Sequence, residues 1–96
     1  MRFLEDGNVI VSQDGEEKHL YPIDYKLMMY LAINAGEFLS WTHLLDVVWP
    51  AKVGKRRWIR DHVAQIRSVL GAGIIETGRA RDGVAYRTTE KFERGN

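Results

Sequence analysis

The residues best suited to chemistry are the cations and the amide of the segment 56–70, RRWIRDHVAQIRSVL. Its apolar residues Ile59, Val63, Ile66 and Leu70 recur at three and four residues, which places them on one side of a helix. Guanidinium and amide groups on the other side match the phosphates and base edges of DNA. A solvated basic face that binds nothing is the alternative, and this segment alone does not separate the two. The basic and amide residues off the stripe are Arg56, Arg57, Arg60, Gln65 and Arg67.

The charges are divided unequally along the chain. Residues 1–51 carry three basic and eight acidic side chains, a net charge of −5, whereas residues 52–87 carry nine basic and three acidic ones, a net charge of +6. The last nine residues are balanced, so the net charge of the chain is only +1. A molecule with one positive side can turn that side toward a polyanion, and DNA is the commonest such partner.

Composition excludes several classes of protein. The 96 residues suit one small domain, and the absence of cysteine excludes disulfides and thiolate metal sites. The histidines lack ligand spacing, the carboxylates form no catalytic pair, and no Ser/His/Asp grouping is evident. No export signal and no apolar run of about 20 residues is present. We therefore expect a soluble, cytoplasmic domain without enzymatic activity, metal, cofactor or membrane contact.

Turn signals within residues 1–21 predict a small antiparallel β meander. Asp-Gly pairs at 6–7 and 14–15 separate short β-prone runs, and Asp-Gly between extended runs is a strong hairpin signal. Strands this short persist only when one face is covered, and the elements that follow supply that cover.

Two helices are predicted next. The apolar repeat after Pro22 indicates a helix to about Asn34, and Asp24 places a negative charge near the N-terminal end of its dipole. Ser40 suits the N-cap of a second helix, which Pro50 ends. The inner face of this second helix is formed by Leu44, Leu45, Val48 and Trp49.

The basic helix is followed by a predicted hairpin. Gly71 suits the left-handed residue after the last helical turn, and the β-prone runs Ile74–Thr77 and Val84–Thr88 flank a loop, GRARDG, with arginines at its tip. Residues 89–96 form a polar tail that we expect to be frayed. The predicted domain thus has a meander at 1–21, a core at 22–88 and a tail at 89–96.

This order of elements predicts an α+β winged helix-turn-helix with three helices, an N-terminal antiparallel meander and a C-terminal hairpin wing. In such a fold the third helix, residues 56–70, enters the major groove of DNA. The wing, residues 74–88, then lies on the minor groove or the backbone.

Four segments in this order resemble the C-terminal DNA-binding domain of OmpR/PhoB-type response regulators, the effector domains of two-component systems. The resemblance runs from about Asn8 to Arg87. It rests on YPIDYKLMMYLAINAGEFLSWTHLLDVVWP for the first two helices, RWIRDHVAQIRSVL for the third and IIETGRARDGVAYR for the wing. It implies sequence-specific binding of double-stranded DNA and regulation of transcription.

The resemblance also implies contacts at numbered positions. Gln65 falls where the family often has a base-reading arginine. The helix residues that match phosphate-contacting positions are Arg57, His62 and Arg67. The wing residues that match DNA-contacting positions are Thr77, Arg79 and Tyr86.

Departures from the family pattern lie in the helix's leading turn and in the wing. Trp58-Ile59-Arg60 stands where Thr-Val-Asp is usual, so the site recognised should differ from those of relatives. Ala64 replaces a basic residue and suits a thymine methyl group. The wing is longer than the family pattern around residues 80–82, which leaves open whether Arg79 or Arg81 enters the minor groove. The residues predicted to bind DNA are Arg56, Arg57, Trp58, Arg60, His62, Ala64, Gln65, Arg67, Thr77, Arg79, Arg81 and Tyr86.

A second hypothesis is a winged-helix module that binds a protein and no specific DNA. The loop Pro50–Lys55 matches the turn that in some family members contacts RNA polymerase, so RNA polymerase is a second expected partner. Family behaviour also suggests head-to-tail dimers on DNA. Because these residues hold no receiver domain, we expect either an excised or a naturally stand-alone effector domain.

Overall fold

The computed structural model describes residues 1–12, 14–48 and 56–95, and it shows an α+β winged helix-turn-helix. Its three described helices contact one another and both β-sheets. The predicted loop Pro50–Lys55 and the predicted roles of Trp49 and Pro50 lie outside the described residues, as does the side chain of Arg56. In chain order the elements are β1 (Arg2–Leu4), β2 (Val9–Val11), β3 (Glu17–His19), α1 (Pro22–Ile33), β4 (Leu39–Ser40), α2 (Trp41–Val48), α3 (Arg56–Leu70), β5 (Glu76–Ala80), β6 (Gly83–Arg87) and β7 (Glu93–Arg94).

The predicted meander is present as an antiparallel arrangement of β1, β2 and β3. Phe3 lies opposite Ile10, which in turn lies opposite Lys18. Phe3 and Ile10 are fully buried, so one face of the meander enters the core, as strands this short require.

The expectation of a frayed tail is wrong for the described residues up to Gly95. Strand β7 pairs with β1 in parallel, and the Gly95 N–H donates to the Phe3 carbonyl at 3.0 Å. The ring of Phe92 stacks on that of Phe3, with centroids 5.3 Å apart. Packing of one partly buried aromatic ring on the core therefore holds a segment of otherwise polar composition in the sheet.

The helices begin and end close to the predicted residues. Pro22 occupies the first turn of α1, and Ser40 caps α2, because its Oγ accepts a hydrogen bond from the His43 N–H at 3.2 Å. The predicted stripe of α3 is buried at Ile59, Val63 and Ile66. These residues meet α1 and α2 in one core, which fixes the orientation of α3.

Gly71 follows α3 with φ +111° and ψ 148°. The positive φ confirms the need for glycine, but the ψ value is extended and differs from the predicted left-handed helical conformation.

The wing is a hairpin with a turn shorter than predicted. Ala80 pairs with Gly83, so only Arg81 and Asp82 form the turn, and residues 78–80 of the predicted loop belong to β5. Arg79 is thus a strand residue and Arg81 alone is the arginine of the tip. Strand β4, which was not predicted, pairs with β6 and makes this a three-stranded sheet.

Candidate nucleic-acid interface

Helix α3 presents a polar face opposite its buried stripe. Arg57, Arg60 and Ala64 are exposed and follow one another at three and four residues, so they share one side of the helix. Trp58 is half-buried beside them, and Gln65 is half-buried on the flank that faces away from the wing, where it borders a cleft with His19 and Tyr21. The positions predicted to meet base edges therefore cross the full width of the exposed face.

His62 joins α3 to α1 through a buried acid. Its Nδ1 lies 2.6 Å from Oδ1 of Asp24, whose residue surface is 0% exposed, while 28% of the His62 side chain is exposed. Burial raises the pKa of Asp24 above its ordinary value, and the hydrogen bond and charge of His62 oppose that rise. His62 is therefore a hydrogen-bonded histidine on the flank of α3 that packs against α1.

Asp24 was predicted to interact with the helix dipole, and its contact with His62 was not predicted. The available signal was helical phase. Asp24 stands four residues before Met28 and seven before Leu31, on the same buried stripe of α1. A carboxylate at such a position needs a partner from another element.

Arg67 joins α3 to the base of the wing. Its Nε and Nη2 both donate to the Ile75 carbonyl, at 3.1 and 2.6 Å, and Nη2 also donates to Oγ1 of Thr77 at 2.9 Å. The guanidinium therefore bridges the helix and the strand that follows it.

The wing turns one face toward α3. Thr77 and Arg79 are two residues apart on β5, so their side chains lie on the same face of the sheet. Their partners on β6, Tyr86 and Val84, share this face. Together with Arg60 and Arg67, residues of this face line a cleft of about 290 Å³. Tyr86 is only 3% exposed and belongs mainly to the core, which leaves little of its surface for the predicted DNA contact.

The other face of the wing is held by an aromatic and ionic cluster. Arg87 lies over the ring of Phe38 at 4.2 Å and pairs with Glu76 at 2.7 Å. Gly78 lies against the same ring, and a Cβ there would come within 2.4 Å of it. Glycine at this position allows β5 to pass close to Phe38, which explains why residue 78 lies in a strand.

The tip of the wing is tied to the start of α2. The Thr42 hydroxyl donates to the Asp82 carboxylate, and this bond is the main reason why the pKa of Asp82 lies below its ordinary value. Beside it, Gly83 adopts φ +125°, and a Cβ there would lie 3.3 Å from Nε1 of Trp41. Sequence reasoning missed these contacts because they join residues some 40 positions apart.

Most of the exposed acidic residues of segment 1–51 lie in the N-terminal meander, away from α3 and the wing in the chain. The turns and strands of the meander expose five carboxylates, none of which belongs to α3 or the wing: Glu5, Asp6, Asp14, Glu16 and Glu17. Across the described residues no group of histidines and carboxylates is arranged to hold a metal ion. No helix in the described ranges is long and apolar enough to cross a membrane.

Comparison with known protein families identifies the family to which this fold and surface belong. The family described as "Transcriptional regulatory protein, C terminal" matches residues 15–87. The chain belongs to this family. The matched range of this transcriptional regulatory C-terminal domain runs from the β2–β3 turn to the end of the wing, and it contains every residue predicted to contact DNA.

The domain matches one part of each of two curated relatives. It is 34% identical over 62 residues to the KDP operon transcriptional regulatory protein KdpE of Escherichia coli (strain K12), covering 64% of this chain and 28% of the relative. It is 36% identical over 61 residues to the transcriptional regulatory protein KdpE of Mycobacterium tuberculosis (strain CDC 1551 / Oshkosh), covering 62% of this chain and 27% of the relative. The chain thus spans little more than a quarter of the length of the curated relatives it matches.

Proposed function

We propose that this domain regulates transcription by binding specific sequences of double-stranded DNA. Helix α3 enters the major groove, and the wing lies on the minor groove or the backbone. The observation that carries the proposal is the construction of α3: a buried stripe fixes the helix in the core while Arg57, Arg60 and Ala64 stay exposed beside a wing with two exposed arginines.

Roles follow from position and chemistry. Arg57 and His62 contact phosphates from the helix, and Thr77 does so from the wing. Arg60, Ala64 and Gln65 meet base edges: a guanidinium suits guanine, an amide suits adenine, and a methyl group suits thymine. Arg79 or Arg81 enters the minor groove, where a narrow A·T tract attracts arginine.

The proposal extends to the partners and the place of action. The domain acts in the cytoplasm as the effector part of a two-component response regulator, because its relatives are named transcriptional regulatory proteins. Contact with RNA polymerase through residues 50–55 and head-to-tail pairing on DNA remain predictions of the sequence resemblance. No feature of the described residues adds support to either contact, so the proposed function rests on DNA binding alone.

Two substitutions separate base contacts from phosphate contacts. Gln65→Ala should relax preference at one position of the DNA site by about 1 to 3 kcal/mol. Arg57→Ala should weaken binding to all sequences by a similar factor, about tenfold, since a phosphate contact carries no sequence information. Competition binding with single-base variants of a selected site measures both.

The control is Arg94→Ala, which removes an exposed basic residue on β7, outside the matched range. Its binding should equal that of the wild type. Equal losses on every sequence from Gln65→Ala and Arg57→Ala would show that the roles are wrongly assigned.

A further inference from the structure

We propose that Arg67 is a positioning residue. It locks the wing to α3 and orients the Thr77 hydroxyl as a donor to a DNA phosphate, and it does not itself contact phosphate. The inference rests on the proposed function and changes the role that family resemblance implies for Arg67.

The geometry of the guanidinium is the first argument. Nε and Nη2 converge on one acceptor, the carbonyl of Ile75, a residue that is 2% exposed. A cation on a buried carbonyl is a structural tie, because it satisfies an acceptor that is removed from water. The segment between α3 and β5 contains Gly71 and Gly73, so its backbone adds little restraint where the wing begins, and the Arg67 bonds supplement the pairing of β4 with β6.

The bond from Arg67 to Thr77 fixes the direction in which the Thr77 hydroxyl can donate. Thr77 Oγ1 accepts from Nη2, so the oxygen lone pair on that side is occupied and the hydroxyl proton remains to be donated elsewhere. A phosphate oxygen can only accept, and Thr77 is exposed at the mouth of the cleft that Arg60 also lines. Because the donor is a cation, the accepted bond is charge-assisted and polarises the hydroxyl toward the phosphate.

The arrangement requires arginine and not merely a positive charge. Contact with a carbonyl and a hydroxyl two residues apart uses the planar, forked donors of a guanidinium. Lysine keeps the charge but offers a single ammonium on a flexible stem. Lysine at position 67 therefore separates a positioning role from a charge contact.

The test compares Arg67→Lys, Arg67→Gln, Thr77→Val and Thr77→Ser in the full chain, with a duplex that the wild type binds. Affinity is measured from low to high salt. We expect Arg67→Lys and Arg67→Gln each to weaken binding about tenfold, with the slope of log K against log salt unchanged. Thr77→Val should lose a similar factor, Thr77→Ser should be close to wild type, and the Arg67→Gln/Thr77→Val double variant should be no weaker than either single variant.

A direct phosphate contact gives a different result. Arg67→Lys would then keep most of the affinity, and Arg67→Gln would reduce the slope by about 0.9, as we expect for Arg57→Gln. That pattern overturns the inference, and so does wild-type affinity in Thr77→Val. Since Thr77 is exposed, its variants carry the test if Arg67→Gln does not fold. Failure of the wild type to bind any duplex would instead contradict the proposed function.

Discussion

Replacing His62 with alanine should lower the free energy of unfolding by about 3 kcal/mol at neutral pH, and by much less in acid. The substitution removes the hydrogen bond that His62 makes with the fully buried Asp24 carboxylate. Its other oxygen, Oδ2, already has no partner among the described residues. A buried ionised group that loses its partner is among the costliest changes a core can suffer. The partial exposure of His62 keeps the cost at the lower end of the usual range.

The pH dependence follows from the sign of the pKa shift. Burial raises the pKa of Asp24 above its ordinary value of 3.8, against the opposing effect of His62. A raised pKa means that the folded state holds the proton more tightly than the unfolded state, so this group's contribution to stability is complete below 3.8 and is lost as pH rises through the folded pKa. Without His62 the hydrogen bond and the charge that oppose this rise are both absent, so the pKa of Asp24 rises further. The loss of folding stability caused by the substitution therefore grows toward neutral pH.

Denaturant unfolding of His62→Ala between about pH 4 and pH 7.5 measures this effect. Asp24→Asn removes the charge, so the double variant with His62→Ala should be more stable than His62→Ala alone and should lose the added pH dependence. The matched control is His19→Ala, an exposed histidine whose replacement should cost less than about 0.5 kcal/mol. A cost for His62→Ala that is the same at every pH would show that the Asp24 carboxylate is not the group left unpaired.

Affinity for duplex DNA should fall roughly a thousandfold between about 50 and about 200 mM salt. The cations of the proposed interface, including those that meet base edges and the minor groove, together neutralise about five to seven phosphates, and each of these contributes about −0.9 to the slope of log K against log salt. The concentration of basic residues on α3 and the wing supplies these contacts, whereas the exposed carboxylates of the meander lie on other elements. Fluorescence anisotropy with a labelled duplex at a series of salt concentrations gives the slope.

A slope near zero would contradict phosphate neutralisation by this surface. Arg94→Ala is the control for removal of a positive charge away from α3 and the wing, and it should leave the slope unchanged.

The elements predicted best are those with a local cause. The bounds of α3 match the prediction because its stripe repeats with helical period over 15 residues and glycine follows its last turn. The Ser40 cap was predictable for the same reason, since a cap is a contact between neighbours in the chain.

The elements that sequence did not predict depend on distant contacts. Strands β4 and β7 have two residues each and exist because β6 and β1 offer open edges. The composition of residues 78–83 is typical of a loop, but packing of Gly78 on Phe38 draws half of this segment into β5. The tail is polar, yet one ring, Phe92, anchors it.

The candidate site shows the same division. Exposure of Arg57, Arg60 and Ala64 followed from helical phase alone. The bonds of Arg67 to the wing and of His62 to Asp24 did not, because they join side chains of different elements. Sequence thus indicated which face of α3 is available for DNA, and the structure shows what holds that face in place.

Selection of genomic fragments by the purified chain at physiological salt tests the central claim most directly. The proposed function predicts that a few fragments are retained against excess competitor DNA and that they share one short sequence element. Gln65→Ala should then lose preference at one position of that element. Retention of no fragment would contradict sequence-specific binding by α3 and the wing, and would favour the winged-helix module that binds a protein.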